Sequence, residues 1–251
     1  MNVVAIIQAR MTSTRLPGKV LADLAGAPML ARVAERVALT HRLDRIWIAC
    51  TDREADLPLE ECARRLGLPV FRGSESDVLG RYRGCAQAAA ADVIVRVTAD
   101  CPLLDPDVID RVVDMLVTRN VDYAANVLER SFPRGLDVEA FTYDALVRMD
   151  QLGTSAAARE HVTIPVRLEH PECFTALNVR SPTDDSDLRW TVDTPEDLAF
   201  ARLIYRTLGL TGRAIGYQDL VRWCRANQAW ARRDDGENTW DPSRLARRAA
   251  G

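Results

Sequence analysis

The run from Val3 to Leu21, VVAIIQARMTSTRLPGKVL, constrains the fold more than any other stretch. Val3 to Gln8 is apolar almost without interruption, the pattern of a strand covered on both faces rather than one with a wet side. Such strands belong to parallel sheets sandwiched between helices, so the segment points to an α/β fold. The strand empties into a loop carrying Arg10, Ser13, Arg15 and Lys19, with Gly18 among them. Cations, hydroxyls and backbone N–H groups at the end of a buried strand are what a phosphate chain needs in place of its water. A plain basic surface loop between a strand and a helix is the alternative. Lys19 is the only lysine of the chain, every other residue of the Lys+Arg total of 33 being arginine, and it sits inside this loop.

The first half of the chain continues to alternate. Pro28 stands where a helix opens and leads MLARVAERVAL with apolar residues at helical spacing. Arg45 to Cys50 reads as a second strand, followed by Thr51, Asp52 and a helix through Leu66 that Gly67 terminates. Pro69 to Arg72 is a short third strand, after which Ser74, Ser76 or Asp77 offers an N-cap for an alanine-rich helix. Asp92 to Thr98 is the fourth strand, Pro106 opens a helix to about Arg119, and Val121 to Ala125 returns as a strand. Repeated β–α–β units of this size favour a parallel sheet with helices on both faces. Beyond Ser131 the pattern loosens. FPRGLDVEAFTYDAL reads as turn, strand and helix start, and SAAAREHVTIPVRL as a helix running toward an edge element that Pro165 interrupts. Phe174 to Val179 and Leu188 to Val192 read as two strands of a mixed sheet. Thr194 and Pro195 open a helix that Gly209 stops, and Tyr217 to Arg225 is one further short helix. No repeat or low-complexity linker marks off a second independent domain.

At 251 residues, 47% apolar and 27% charged, the chain can bury one large α/β core. A net charge of −3 without long single-sign blocks offers no basic stripe to nucleic acid and no polybasic patch to a membrane. No stretch approaches the roughly 18 apolar residues of a membrane span. Met1 to Ile7 lacks the charged start and cleavage region of a signal peptide, so the expected location is cytoplasmic. Six scattered cysteines form no CxxC pair and are expected to be reduced and mostly buried. With only three histidines, a metal site here is built from carboxylates and suits Mg2+ or Mn2+ rather than zinc.

In an open α/β sheet, ligands bind beyond the carboxyl ends of the strands, where the strand order reverses. The polar clusters of this chain fall at strand ends: Arg10, Ser13, Arg15 and Lys19 after the first, Asp52 after the second, Asp100 after the fourth, and Asp193 in TVDTPEDL. Cations facing two carboxylates suggest phosphoryl chemistry, with a divalent ion between acids and phosphates.

The strings QARMTSTRLPGKVL, RVTADCP and TVDTPEDL together resemble the CMP-sugar synthetases, the acylneuraminate-type cytidylyltransferases that activate 3-deoxy-manno-octulosonate and neuraminate-type acids. GSESDVLGRY, FPRGLDVEAF and REHVT look most like the spore-coat-polysaccharide branch of that family. The match runs in order from about Met1 to Leu208. It implies a single three-layer α/β/α nucleotidyltransferase domain, Rossmann-like with a mostly parallel mixed sheet, over residues 1–211; the C-terminal helical tail over 212–251 has no counterpart in the family and is read from the sequence alone. It also implies transfer of CMP from CTP to a small acidic acceptor with release of pyrophosphate, dependent on Mg2+ or Mn2+.

The resemblance assigns roles by position. Arg10, Ser13, Arg15 and Lys19, with Gln8 and Ala9 beside them, would grip the triphosphate, Arg15 and Lys19 neutralising charge as pyrophosphate leaves. Asp100 and Asp193 would hold the metal and complete the catalytic set. The base would be read from the loop before the third helix, where Arg72, Ser76, Asp77 and Arg81 are candidates, although Ser76 and Asp77 serve equally as N-caps. Asp52 either orients the first loop or starts a helix. Gly135, Asp137 and Glu139, joined by Arg159, Glu160 and His161, would line the acceptor pocket, and Arg134, Arg159 or Arg189 would pair with an acceptor carboxylate.

Gln8 stands where the octulosonate enzymes usually have proline, and Cys101 where they have glutamate. The acceptor is therefore open between an octulosonate, another nonulosonic acid and a non-sugar acid such as a phosphonate. Two other classes stay open: a nucleotide-sugar glycosyltransferase of similar fold, which wants a DxD motif where TADCP supplies one acid, and a non-catalytic nucleotide-binding protein. The resemblance further implies a homodimer packed through about residues 130–170. Trp223, Trp230 and Trp240 either cover that interface or pack on their own subunit.

Overall fold

The apolar run becomes β1 (Val3–Gln8), and both of its faces are buried: Val3, Ala5 and Ile7 under one layer of helices, Val4 and Ile6 under the other. The structure is a computed structural model and describes residues 1–213 and 215–228. After β1 comes a small hairpin, β2 (Asp23–Leu24) with β3 (Ala27–Pro28), separate from the main sheet. The main sheet adds β4 (Arg45–Thr51), β5 (Val70–Gly73), β6 (Val93–Thr98), β7 (Tyr123–Ala125), β8 (Glu139–Thr142) and β9 (Ala176–Asn178). Their spatial order is β5-β4-β1-β6-β8-β7-β9. Pairing is parallel from β5 to β6 and between β7 and β9, and β8 is inserted antiparallel between β6 and β7. Since β4 lies on one side of β1 and β6 on the other, the strand order reverses at β1, and a crevice opens between its carboxyl end and that of β6.

One face of the sheet carries α1 (Met29–Val37), α2 (Leu57–Arg65), α4 (Pro106–Arg119), α7 (Pro195–Leu208) and α8 (Tyr217–Ala226). The other carries α3 (Val78–Ala88) and α5 (Tyr143–Leu152), with the short α6 (Ala156–His161) against α3. This is the expected α/β/α arrangement with a mostly parallel mixed sheet. The caps follow the local chemistry: Asp77 accepts from Gly80 N at 2.8 Å, Gly67 and Gly209 adopt φ of 70° and 60° past their helices, and Thr194 and Asp197 form a reciprocal capping box.

Two expectations fail. Leu188 to Val192 is not a strand. Its backbone bonds go instead to loops: Trp190 N donates to Arg134 O at 2.6 Å and Val192 N to Asp100 O at 2.8 Å, leaving one isolated bridge, Arg134 with Arg189. The alternating apolar pattern reflects burial of Leu188, Trp190 and Val192 in the main hydrophobic core, not membership of a ladder. Pro165 interrupts no edge element either, but opens a π-helical turn, Pro165–Glu169, closed by His170 N to Pro165 O at 2.9 Å. Proline suits a first turn because its missing N–H has no partner there in any case.

Among the described residues beyond 211, Tyr217–Ala226 joins the same core. Tyr217, Leu220 and Cys224 are buried in it, Trp223 packs against it, and Tyr217 N donates to the Asp105 carboxylate at 2.5 Å. Trp230 and Trp240 lie outside the described residues. Cys173 is exposed, the other five cysteines are buried, and none of the six is in a disulfide. No helix of the described residues is long and apolar enough to cross a membrane.

Candidate active site

The cleft at the reversal point is lined by Gln8, Ala9, Arg10, Ser13, Arg15 and Lys19 from the loop after β1, by Thr98, Ala99 and Asp100 from the end of β6, and by Asp193. The backbone dictates this convergence. Ala99 N extends the β1–β6 ladder onto Gln8 O at 3.0 Å, and Gly18, at φ 70°, folds the loop back so that Gly18 N reaches Met11 O at 3.1 Å. Lys19 then starts a single 3-10 turn, Lys19–Leu21, with its side chain directed inward. The left-handed Gly18, with no Cβ to clash, lets the reversal form without strain.

Lys19 Nζ donates to Asp100 Oδ2, Asp193 Oδ1 and Val192 O, each at 2.8 Å. Arg15 lies 3.1 Å from Asp193 Oδ1, Arg189 pairs with the other Asp193 oxygen, and Thr98 Oγ1 donates to Asp100 Oδ1 at 2.6 Å. Burial by itself would lower the Lys19 pKa, but Asp100 and Asp193 outweigh it and raise the value. Burial pushes Asp193 upward, and Lys19 with Arg15 and Arg189 overcomes it, holding the acid below its ordinary range. The four residues expected to act together thus form one chain of contacts, Arg15 to Asp193 to Lys19 to Asp100, and Arg189, expected at the acceptor, joins it at Asp193.

A second cleft adjoins the first through Arg10 and is lined by Asp52, Ser74, Glu75, Ser76 and Glu160. Glu75 ties the two together, accepting from Thr12 Oγ1 at 2.7 Å and Arg53 Nη1 at 2.9 Å. Other expected base readers face elsewhere. Arg72 donates to Thr51 O at 3.3 Å and Arg53 O at 3.1 Å, bracing the end of β4. Arg81 is buried against Ser74 O. Asp77 caps α3 and is clasped by Arg159 at 2.7 and 2.6 Å, so these two residues engage each other.

The expected acceptor residues divide into two groups. Arg134 and Gly135 pack along residues 188–191, Arg134 N donating to Leu188 O at 2.9 Å, while Asp137 accepts from Arg130 in bonds of 2.7 and 2.8 Å. Glu139 is buried in β8, accepts from Tyr123 and Thr163 hydroxyls at 2.6 Å each, and pairs with Arg96. His161 is half-buried, and its pKa is lowered by burial and by Arg96, Arg167 and Arg10, against the pull of Glu160. Asp56, which no motif in the sequence marks, is 0% exposed and accepts from Met11 N at 2.8 Å and from Thr51 N and Oγ1 at 2.8 and 2.7 Å. The loop after β1 is therefore anchored by Asp56, while Asp52 lines the second cleft.

The profile of the cytidylyltransferase family matches residues 4–206. The chain is 37% identical to an uncharacterized protein of Methanocaldococcus jannaschii over 78% of this chain and 80% of that protein. It is 33% identical to the spore coat polysaccharide biosynthesis protein SpsF of Bacillus subtilis over 83% of this chain and 88% of that one. Its fold superposes on a cytidylyltransferase from Leptospira borgpetersenii with a TM-score of 0.86 at 33% identity, over 92% and 96% of the two chains.

Proposed function

The chain belongs to the cytidylyltransferase family, and on that premise we propose that it transfers CMP from CTP to a small acidic acceptor, a sugar acid of the nonulosonate or octulosonate type. The observation that carries this reading is the meeting of Arg15 and Lys19 with Asp100 and Asp193 at the reversal point of the sheet, beside a second cleft reached through Arg10. A triphosphate along the first cleft places its leaving end among the cations of the β1 loop, and its base toward Ser74, Ser76 and Asp52.

The acceptor hydroxyl attacks the α-phosphorus, the bond from that phosphorus to the bridging oxygen breaks, and pyrophosphate departs. The chain's work is to position two anions and neutralise charge on the leaving group. Arg15, partly exposed at the mouth, meets the departing pyrophosphate, and the N–H groups and hydroxyls of the loop replace its water.

Asp100 and Asp193 fit a divalent ion, because their carboxylates already converge on one cation, the Lys19 ammonium. Among the described residues there is no cluster of three His, Cys, Asp or Glu ligands, and a pair of carboxylates suits Mg2+, which is bound through one or two carboxylates. Such an ion, held by Asp100 and Asp193, would supply positive charge that favours deprotonation of the attacking hydroxyl. The test is pyrophosphate release from CTP, UTP, ATP and GTP, each with a panel of 2-keto sugar acids and phosphonates. CTP with at least one acid is expected to give turnover, and release from UTP or ATP but never CTP would overturn the reading.

A further inference from the structure

Resting on that reading, Lys19 faces a conflict. The residue is 8% exposed and directs all three ammonium N–H groups, at 2.8 Å, to Asp100, Val192 and Asp193, so none remains for a phosphate oxygen. The carboxylates are equally occupied: the other oxygen of Asp100 takes Thr98, and that of Asp193 takes Arg189. A divalent ion needs the same two inner oxygens at about 2.1 Å, and an ammonium hydrogen-bonded to both leaves neither room nor negative charge for it. Of the parties to this contact Lys19 is the one able to leave, being a point charge on a flexible four-carbon stem. Arg15, already on Asp193 and open to solvent, offers the phosphates a first foothold.

We propose that Lys19 is a placeholder cation: in the nucleotide-free protein it keeps divalent ions off the Asp100–Asp193 pair, and the triphosphate opens the pair by drawing the ammonium onto its own oxygens. Metal occupancy of the two acids thereby depends on the nucleotide. Lys19 serves as gate and as phosphate ligand in turn.

The test uses Mn2+ alone as probe, with free Mn2+ followed by electron paramagnetic resonance on the full chain without nucleotide. Wild type is expected to bind weakly and Lys19→Met to bind at least about tenfold more tightly. Adding Asp100→Asn to Lys19→Met is expected to abolish the gain. Equal affinity of wild type and Lys19→Met, or a gain that survives Asp100→Asn, would overturn the proposal.

A second measurement needs no variant. Because Lys19 is the only lysine, isotopic labelling of lysine Nζ gives one side-chain ammonium resonance. Mg2+ alone should leave it in place, whereas CTP with Mg2+ should move it; displacement by Mg2+ alone would sink the idea. The Mn2+ comparison involves no nucleotide, so an error in the substrate reading shows separately, as absence of pyrophosphate from CTP.

Discussion

Asp56 ties the loop after β1 to the end of β4 with one carboxylate, accepting from Met11 N, Thr51 N and Thr51 Oγ1 at 2.7 to 2.8 Å. Asp56→Ala leaves these donors without their partner, at a cost of about 2–4 kcal/mol. Denaturant unfolding should show that loss. CTP affinity should fall as well, because the loop loses this side-chain anchor to β4. Asp56→Asn retains an acceptor and should recover part of both; an Asp56→Ala protein with wild-type stability and affinity would refute the anchoring role. The sequence pointed to Asp52 because it directly follows a strand, whereas Asp56 sits in EADLPLE and reads as an ordinary helix start. Its partner Met11 is 45 residues away, and no local pattern encodes that separation. Lys19, Asp100 and Asp193 were legible because each stands at a strand end or helix start with its own signature. Arg159 and Asp77 show the opposite: both carry suitable charge, and the fold pairs them with each other.

Elements with short-range signals formed where the sequence placed them, β1, α4 and α7 above all, since buried runs, an N1 proline and a capping box are local facts. The segment 188–192 misled because its alternation is real but its hydrogen bonds go to loops 134 and 100. That crossing segment carries Arg189 and leads into Asp193, and it depends on Gly135. At φ 104° Gly135 lies so close beneath it that an added Cβ would stand 2.7 Å from both Thr191 N and the Trp190 carbonyl carbon. Gly135→Ala should therefore destabilise the fold by roughly 2–4 kcal/mol through strain and backbone displacement together. Thr194→Ala, which removes only half of the α7 capping box, should cost about 1 kcal/mol. Thermal unfolding of the two variants gives the ranking, and turnover in the Gly135 variant should fall further than its stability alone explains, because Asp193 moves with the segment. A Gly135→Ala protein no less stable than Thr194→Ala would contradict this account of the crossing.

For the molecule as a whole, the titrating groups divide the acid side of its stability into two windows. His161 has a folded pKa below its ordinary 6.5, through burial and the neighbouring arginines. The folded state then binds fewer protons than the unfolded one, so its contribution is complete above pH 6.5 and is lost as pH falls through the lowered folded value. Asp77, Asp122, Asp137, Glu139 and Asp193 are also depressed, each because its cationic or hydrogen-bond partners outweigh the opposing effect of burial. Their contributions are full above the ordinary values of 3.8 and 4.5 and disappear as pH falls below them. Asp105 runs against this trend. Its pKa is raised by burial, so it favours the folded state as pH falls, softening the second window without reversing it. Stability measured by chemical denaturation is expected to decline gently from about pH 6.5 and then steeply below about pH 4.5. His161→Asn should flatten the upper slope and leave the lower one in place. If the upper slope survives in His161→Asn, some other group carries that proton, and the cationic surroundings of His161 do not govern the acid response of the fold.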